Sequence, residues 1–246
     1  MRKPTISLIV PVFNEESILE HFIRSTVGEL QNISDDFEII FVDDCSTDAS
    51  GEILNRLARE FQQLIVIRLQ VNTGIGHATV EGIKRAGKDV VFWNTVDRVI
   101  DTTITLQQAL PLLEEYDVVS FYRNDLKANT FYQRLLTIGN NELIALLFPW
   151  KFKAYQQFQF HHRRFLDRVE FEADSTFIAP ELLFKAKTAG KNIIEMPTDF
   201  HVRPGGKPKG GKIKWVCKTF KDIVKLWFIW RVLRRPMRFR EENLPS

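Results

Sequence analysis

Cysteine is scarce in this chain of 246 residues. Cys45 and Cys217 lie far apart, and neither belongs to a Cys-x-x-Cys pair or to a Cys/His cluster with metal-ligand spacing. A disulfide framework and a zinc-binding module are therefore excluded as the basis of the fold. We expect a reduced, cytoplasmic protein.

Long apolar runs are also missing. No stretch reaches the roughly 18 unbroken apolar residues that a membrane-spanning helix needs. The first apolar run, Ile6 to Val10, has only the length of a strand and precedes a polar turn, so we expect no signal peptide. With 44% hydrophobic and 26% charged residues, the composition is that of a globular protein, and the length suits one large α/β domain with appendages.

Two nucleotide-binding signatures are absent. The chain has no G-x-G-x-x-G pattern and no G-K-[ST] sequence, so a Rossmann dehydrogenase and a P-loop NTPase both lose support. The segment Asn72 to Ala86, NTGIGHATVEGIKRA, instead places Gly74 and Gly76 at the start of a predicted helix. Free backbone N–H groups at such a start suit a phosphate.

Acidic residues are few in the last fifth of the chain. Residues 201–246 contain 13 Lys and Arg against three Asp and Glu, a net charge of +10, while the whole chain carries +3. The first 200 residues therefore carry −7. This asymmetry indicates an anionic partner for the tail, either a membrane surface or a phosphorylated ligand.

Short apolar runs alternate with helical patterns along the chain. This alternation predicts βαβ units and a mostly parallel sheet sandwiched by helices, which is the α/β class. Predicted strands cover 6–13, 38–42, 64–69, 89–93, 117–121 and 192–196, with a half-buried strand around 158–161. Predicted helices cover 17–30, 50–61, 74–86, 104–113, 129–147, 180–189 and 212–235.

The stretch Ile39 to Asp48, IIFVDDCSTD, is the centre of this pattern. Its apolar run predicts a buried parallel strand, and Asp43 and Asp44 follow at the carboxyl end. Open α/β sheets bind ligands at that edge, so we expect at least one of the two carboxylates to contact a ligand. Ser46, Thr47 and Asp48 are better placed to cap the helix that follows.

The predicted C-terminal helix is amphipathic and basic. Its apolar residues recur at three- and four-residue steps, with lysines on another side: Val216, Phe220, Ile223, Val224, Trp227 and Trp230, against Lys214, Lys218, Lys221 and Lys225. Such a helix suits the headgroup layer of a membrane. The alternative is a helix packed on its own domain or on a second copy of the chain, and only packing on a second copy would make a homo-oligomer.

One segment mixes aromatic and basic residues, Trp150 to Arg164. A single-strand nucleic-acid platform would have this composition, but Phe158 and Phe160 alternate with polar residues as in an ordinary half-buried strand. We therefore expect no nucleic-acid partner. His161 and His162 would point to opposite faces of that strand and would not share a metal.

Five segments together resemble the family 2 glycosyltransferases with the GT-A fold. They are VPVFNE at Val10 to Glu15, FVDDCSTD at Phe41 to Asp48, N-x-G-x-x-x-A-x-x-x-G at Asn72 to Gly82, PELLFKAKTAGKNIIEMP at Pro180 to Pro197, and RPGGKPK at Arg203 to Lys209. Within that family the chain is most similar to polyprenyl-phosphate glycosyltransferases of the dolichyl-phosphate mannose synthase type. The resemblance implies an inverting transfer of a sugar from a nucleotide diphosphate sugar to a lipid-linked phosphate.

The resemblance also implies roles for individual residues. Pro11 and Phe13 would pack against the nucleobase, Glu15 would lie near the base or ribose, and Asp44 would accept a base N–H with Asp43 beside it. Asn72 and Gly74 would complete the donor site. Arg203, Lys207 and Lys209 would hold the diphosphate or an acceptor phosphate, a task that suits Arg as a bidentate fork and Lys as a point charge.

The sequence departs from the family at the metal motif. The sequence NTVD, Asn94 to Asp97, stands where the family has Asp-x-Asp, so only Asp97 and the Asn94 carbonyl remain to hold Mg²⁺ or Mn²⁺. Asp97, Asp174 and Glu181 are the candidate catalytic carboxylates. A phosphate acceptor needs no general base, because a phosphate monoester is largely ionised near neutral pH.

Three functions stay open at this point. The first is the polyprenyl-phosphate transferase, peripheral on the inner face of a membrane that it contacts through 212–240. The second is a glycosyltransferase acting on a glycan hydroxyl, with Asp174 or Glu181 as base. The third is a non-catalytic nucleotide-sugar-binding protein. We expect a GT-A domain over 1–210, with a nucleotide-binding half (1–100) and an acceptor half (101–210), followed by the basic tail at 211–246.

Overall fold

A computed structural model of the chain describes residues 3–96, 101–123, 131–155, 158–199 and 213–240. The strands in these ranges are β1 (Ile6–Val12), β2 (Phe37–Asp43), β3 (Leu64–Arg68), β4 (Val90–Trp93), β5 (Val118–Arg123), β6 (Phe158–His162) and β7 (Ile193–Thr198). The helices are α1 (Glu16–Ile33), α2 (Ser50–Glu60), α3 (Ile75–Arg85), α4 (Thr102–Leu112), α5 (Phe131–Leu147), α6 (Arg163–Leu166), α7 (Ile178–Thr188) and α8 (Ile213–Trp227), which a π-helical turn extends over Phe228–Val232.

The strands form one sheet in the order β3-β2-β1-β4-β6-β5-β7. The pairs β1 with β2, β1 with β4, β2 with β3 and β5 with β7 are parallel, whereas β6 runs antiparallel to both of its neighbours. The prediction of a mostly parallel sheet within an α/β fold is confirmed.

Helices cover both faces of the sheet, which explains the continuous apolar runs in its strands. Successive side chains of a strand point to opposite faces. Leu8 and Val10 of β1 accordingly pack in the core layer shared with α1, α2 and α4, while Ile9 packs in the layer shared with α3 and α7. Both layers need apolar partners, so an alternating pattern would not fold in this way.

The strand order reverses at β1. From β1 the chain adds β2 and β3 on one side and β4 on the other. Ligands of open α/β sheets bind outside the carboxyl ends of the strands at such a switch point. The residues that follow β1, β2 and β4 are therefore the first place to look for a site.

Helix α8 packs against the body of the protein. Ile223, Leu226 and Trp230 of α8 and its π-helical turn are buried with Phe148 and Phe184 in a third core cluster. The helix thus has an inner face in the core, as the alternative of packing on its own domain predicts, and an outer face in solvent. Among the described residues, no helix combines the length and the apolar character that crossing a bilayer requires.

Candidate functional site

Asp44 follows β2 directly, next to the point where the strand order reverses. Its buried carboxylate accepts three hydrogen bonds: from the Thr73 backbone N–H (2.7 Å) and hydroxyl (2.8 Å) on Oδ1, and from the Gly74 N–H (2.7 Å) on Oδ2. The Asn72 side chain donates to the Asp44 carbonyl oxygen at 3.1 Å. Asp44 therefore ties the end of β2 to the turn over residues 72–74, which we call the donor loop.

The donor loop opens helix α3, and the carboxylate stands at the positive end of that helix dipole. Gly74 has φ +93°, in the left-handed region, and a Cβ there would lie 2.5 Å from the indole of Trp215. A Cβ on Gly76 would lie 2.1 Å from the Ser175 carbonyl oxygen. Both glycines are required because the backbone of the loop and of the first turn of α3 touches neighbouring segments directly.

Asp43 has a different environment from Asp44. Its Oδ1 accepts the Ser46 N–H at 2.8 Å, and its Oδ2 lies 3.5 Å from the guanidinium of Arg68, the residue opposite it on β3. The carboxylate is buried, whereas the Arg68 side chain is 58% exposed. Asp43 thus shapes the turn after β2 and faces β3.

The turns after β1 and β2 are bonded to each other. The Asn14 N–H donates to the Ser46 hydroxyl (3.0 Å), and the Glu15 N–H donates to the Ser50 hydroxyl (2.9 Å). The side-chain oxygen of Asn14 accepts the Thr47 N–H at 2.8 Å. Small polar residues after β2 therefore fix the turn after β1, where a helix cap alone was predicted.

Three of the predicted donor-site residues belong to β1 or to the turn after it. Pro11 pairs in register with Val42 of β2 and is half-buried, as is Phe13 just beyond the strand. Glu15 is 9% exposed at the start of α1. The structure thus gathers Pro11, Phe13, Glu15, Asp43, Asp44, Asn72 and Gly74 at one edge of the sheet.

Asn94, the predicted metal ligand after β4, is fully buried. Its amide N–H donates to the Thr102 hydroxyl (3.0 Å), and its carbonyl oxygen accepts the Thr95 N–H (2.8 Å). The described ranges contain no group of three or more His, Cys, Asp or Glu that could hold a metal ion. Asp97, its predicted companion, lies outside the described residues, as do Arg203, Lys207 and Lys209.

Asp174 belongs to a charged cluster beside the donor loop. Its carboxylate lies 2.5 Å from Nδ1 of His77 on α3 and 2.8 Å from the ammonium of Lys218 on α8. Burial alone would raise the pKa of Asp174, but the hydrogen bonds from Lys218 and His77 outweigh it and hold that pKa below its ordinary value. Asp174 is thus an anion that joins α3 to α8.

Glu181 lies inside the protein, without contact with solvent. Its carboxylate is 0% exposed and accepts the backbone N–H groups of Glu172 (2.8 Å) and Ala173 (2.9 Å), with Lys185 at 2.9 Å. Burial raises the pKa of Glu181, although Lys185 and the two N–H groups act in the opposite direction. The placement indicates that Glu181 holds the segment before Asp174, and it separates Glu181 from the donor loop residues.

Three residues at this site have no signal in the sequence motifs. Lys218 donates to the Thr73 carbonyl oxygen at 2.8 Å, Trp215 covers Gly74, and His77 faces Asp174. Lys218 has the same helical spacing as Lys214, Lys221 and Lys225, so periodicity alone does not distinguish it. Only the spatial proximity of α8 to the donor loop does.

More than half of the sequence matches one known protein family. Residues 7–171 match the sequence model of a family described as Glycosyl transferase family 2. The match covers more than half of the chain and contains the whole Asp44 site, but it ends before α7 and α8.

Two curated relatives illustrate the range of similarity. An undecaprenyl-phosphate 4-deoxy-4-formamido-L-arabinose transferase of Edwardsiella ictaluri is 27% identical over 236 residues, covering 89% of this chain and 66% of the relative. A dolichyl-phosphate beta-glucosyltransferase of Trichomonas vaginalis is 24% identical over 242 residues, covering 92% of this chain and 74% of the relative. The chain thus spans about two thirds of the length of the first.

Solved structures share the fold. A glucosyl-3-phosphoglycerate synthase from Mycobacterium tuberculosis, in complex with Mn²⁺, UDP-glucose and phosphoglyceric acid, has a TM-score of 0.68 at 18% identity, covering 91% of this chain and 80% of that one. A mannosyltransferase from Pyrobaculum calidifontis, in complex with GDP-mannose and Mn²⁺, has a TM-score of 0.65 at 21% identity, covering 97% and 66%. At these identities the likeness extends to the fold alone.

Proposed function

The chain belongs to glycosyltransferase family 2, and on that premise we propose that it is an inverting hexosyltransferase. It moves one sugar from a nucleotide diphosphate sugar to a polyprenyl phosphate or another membrane-linked acceptor. The observation that carries the proposal is the arrangement at the switch point, where buried Asp44 is bonded to the donor loop that opens α3. The names of the two curated relatives support the acceptor class.

The donor nucleoside lies across the carboxyl ends of β1 and β2 in this proposal. Pro11 and Phe13 offer apolar surface to the base, and Glu15 lies near the ribose. Asp44 positions the donor loop through its three hydrogen bonds, and Asp43 shapes the turn after β2 through its bond from the Ser46 N–H. A base N–H that reaches Asp44 would share Oδ2 with Gly74, because Oδ1 already accepts two bonds.

The diphosphate lies toward the N-terminus of α3 and is held by Arg203, Lys207 and Lys209 in this proposal. Backbone N–H groups at a helix start and basic side chains both favour a phosphate. They also stabilise the charge that develops on the departing nucleoside diphosphate. The nucleotide-binding half, residues 1–100, would supply the backbone N–H groups. The acceptor half, residues 101–210, would supply the basic side chains.

The reaction is a single displacement at the anomeric carbon. An oxygen of the acceptor phosphate forms a bond to that carbon as the bond to the diphosphate oxygen breaks, and the electron pair leaves with the nucleoside diphosphate. One displacement inverts the anomeric configuration. The acceptor phosphate is already largely ionised near neutral pH, so no proton needs to be removed.

A divalent ion would be held by Asp97 with Asn94 in this family's arrangement. When bound, such an ion neutralises charge on the diphosphate. The described residues do not fit it as they stand, because the Asn94 carbonyl oxygen accepts the Thr95 N–H and its amide is bonded to Thr102. We therefore assign no step of the transfer to a metal.

Helix α8 presents an apolar surface on the side away from the core. Phe220, Val224 and Phe228 are 53%, 38% and 47% exposed and lie along one stripe, which we call the outer stripe. Lys214, Lys221 and Lys225 lie along one edge of it, about a quarter turn around the helix. Residues 213–240 contain nine Lys and Arg against one Asp. An anionic lipid surface suits both features, which supports a peripheral position on the inner face of a membrane as part of this proposal.

Donor binding and sugar transfer are the first test. The protein is heated with UDP-, GDP- and dTDP-sugars, with and without Mn²⁺, because a ligand that binds only the folded state raises the melting temperature. We expect one nucleotide class to stabilise the protein and its sugar to appear, inverted, on polyprenyl phosphate. Binding without transfer would support a non-catalytic nucleotide-sugar-binding protein, and no binding at all would refute the donor site.

Membrane contact is tested by co-sedimentation with phosphatidylglycerol vesicles. We expect binding at low salt that weakens at 0.5 M salt, because charge interactions are screened within roughly 10 Å at 0.1 M and within less at higher salt. Phe220→Ser with Phe228→Ser should abolish it. Leu146→Ser is the matched control, because Leu146 is 82% exposed on α5, outside the outer stripe. Loss of binding in the control as well would contradict this assignment.

A further inference from the structure

Helix α8 touches the donor loop at two points. The Trp215 indole packs on Gly74 so closely that a methyl group would not fit between them. The Lys218 ammonium donates to the Thr73 carbonyl oxygen at 2.8 Å and to Asp174 at 2.8 Å. The loop is therefore held from β2 by Asp44 and from the opposite side by α8.

The inner face of α8 is fixed to the segment that carries Asp174. The Asp222 carboxylate accepts the Asp174 N–H at 2.9 Å, and the Thr219 and Thr176 hydroxyls are 3.0 Å apart. That segment in turn packs on α3, because the Ser175 backbone leaves no space for a Cβ on Gly76. Movement of α8 would consequently disturb the loop and the start of α3 together.

The same helix carries the outer stripe on its far side. Phe220 and Val224 lie within two turns of Lys218 along the chain, so a surface that contacts the outer stripe acts on the same helix that touches the donor loop. When one ligand has already ordered part of a protein, less conformational entropy of the protein is lost as a second ligand binds to that part. Membrane and nucleotide contacts therefore have a direct physical route to one another.

We propose that Trp215 and Lys218 are positioning residues for the donor loop, and that they couple membrane binding by α8 to nucleotide binding at Asp44. The coupling rests on the proposed function, whereas the positioning of the loop does not. Because coupling between two binding sites is reciprocal, the factor by which lipid tightens nucleotide binding equals the factor by which nucleotide tightens lipid binding.

Loop positioning is tested without any ligand, by amide hydrogen exchange of residues 72–76. In Lys218→Met we expect exchange to speed up by about tenfold, which corresponds to the loss of roughly one net hydrogen bond. In Trp215→Ala we also expect faster exchange, because the packing of the indole on Gly74 is lost. Lys218→Arg should keep the loop amides as protected from exchange as in the natural sequence, because a guanidinium can donate to both Thr73 and Asp174. Lys221→Met is the matched control on the same helix, since Lys221 is exposed there.

Coupling is tested with phosphatidylglycerol vesicles and with UDP and GDP as probes. We expect vesicles to tighten binding of the preferred nucleotide by about fivefold in the natural sequence, at the lower end of typical couplings. In Lys218→Met and Trp215→Ala the factor should fall to about one. Lys187→Met, at a lysine that is exposed on α7 and belongs neither to α8 nor to the donor loop, should keep the factor.

The outcomes separate the inference from the proposed function. Unchanged loop exchange in both variants overturns the positioning role, whatever the protein binds. Vesicle binding that leaves nucleotide affinity unchanged in the natural sequence overturns the coupling. If neither UDP nor GDP binds, or vesicles do not bind, the proposed function fails at that site and the coupling fails with it, while faster loop exchange would still support the positioning role.

Discussion

Replacing each of the two adjacent carboxylates with its amide should have very different effects. In Asp44→Asn the new NH₂ group must take the place of one oxygen, so it faces either the Gly74 N–H or the Thr73 N–H, both now 2.7 Å from an acceptor. At least one charge-assisted hydrogen bond is lost, and one backbone N–H is left without an acceptor. We expect a loss of about 2 to 4 kcal/mol in the free energy of unfolding.

Asp43→Asn is the matched control, one residue away and equally buried. The remaining carbonyl oxygen can keep the Ser46 N–H, and the amide nitrogen takes the place of Oδ2, whose contact is the exposed Arg68 side chain at 3.5 Å. Ion pairs with an exposed partner contribute about 0 to 1 kcal/mol, so we expect the cost to stay near 1 kcal/mol.

Urea denaturation followed by circular dichroism measures both values from the shift of the midpoint at constant slope. Asp44→Asn should also lose the nucleotide-dependent rise in melting temperature, whereas Asp43→Asn should keep most of it. Equal destabilisation of the two variants, or a loss below 0.5 kcal/mol in Asp44→Asn, would refute the argument that Asp44 holds the donor loop.

Three further predictions concern other parts of the site. Gly74→Ala should destabilise the fold by at least about 2 kcal/mol, because φ of Gly74 is +93° and the Trp215 ring occupies the space that a Cβ would need. Gly28→Ala in α1 is the control: a Cβ there meets nothing within 4 Å, so we expect a gain of about 0.5 kcal/mol in stability. Thermal unfolding of the two variants measures the contrast. A chain ending at Gly211 should aggregate on expression, since it removes Ile223, Leu226 and Trp230 from the core at about 1.5 to 3 kcal/mol each, whereas a chain ending at Arg240 should stay folded. The pKa of Asp174 is lowered in the folded state, so the ionised carboxylate stabilises the fold fully above the unfolded pKa of about 3.9. That stabilisation is lost as the pH falls through the lower pKa of the folded state. The loss of stability in Asp174→Asn, measured at pH 7, should therefore shrink below about pH 4.

The sequence predicted the sheet well, and the reason is physical. Strands buried on both faces must be continuously apolar, so β1, β2 and β4 stand out as runs between polar turns. Their order along the chain, separated by helices, implied parallel pairing. The antiparallel insertion of β6 between β4 and β5 had no such signal, because a short half-buried strand has the same pattern in either direction.

The two aspartates show where prediction from the sequence stopped. The end of β2 was expected to carry a ligand contact, but nothing in the letters DD separates a carboxylate bonded to the donor loop from one that faces Arg68. The difference depends on residues about 25 to 30 positions away, Thr73 for Asp44 and Arg68 for Asp43. Direct contact of either carboxylate with a nucleobase stays a prediction.

Helix α8 was predicted as amphipathic, yet its periodicity could not tell which face meets the protein. The spacing groups six apolar residues on one face: Val216, Phe220, Ile223, Val224, Trp227 and Trp230. The structure buries Ile223 and exposes Phe220 and Val224, because Thr219 and Asp222 turn inward to bond the segment at 174–176. Polar residues on an inner face are invisible to a hydrophobic pattern, since their partners lie more than 40 positions away.

The environments of the two candidate bases bear on which acceptor is used. A sugar hydroxyl must lose a proton during transfer, and an efficient base needs a pKa near the working pH together with access to that proton. Asp174 has its pKa held below the ordinary range and is bonded to two basic side chains, His77 and Lys218. Glu181 has a raised pKa, but its carboxylate is fully buried and bonded to backbone N–H groups. One carboxylate is thus a weak base and the other is out of reach, so an acceptor that is already ionised, such as a lipid-linked phosphate, fits this site better than a hydroxyl.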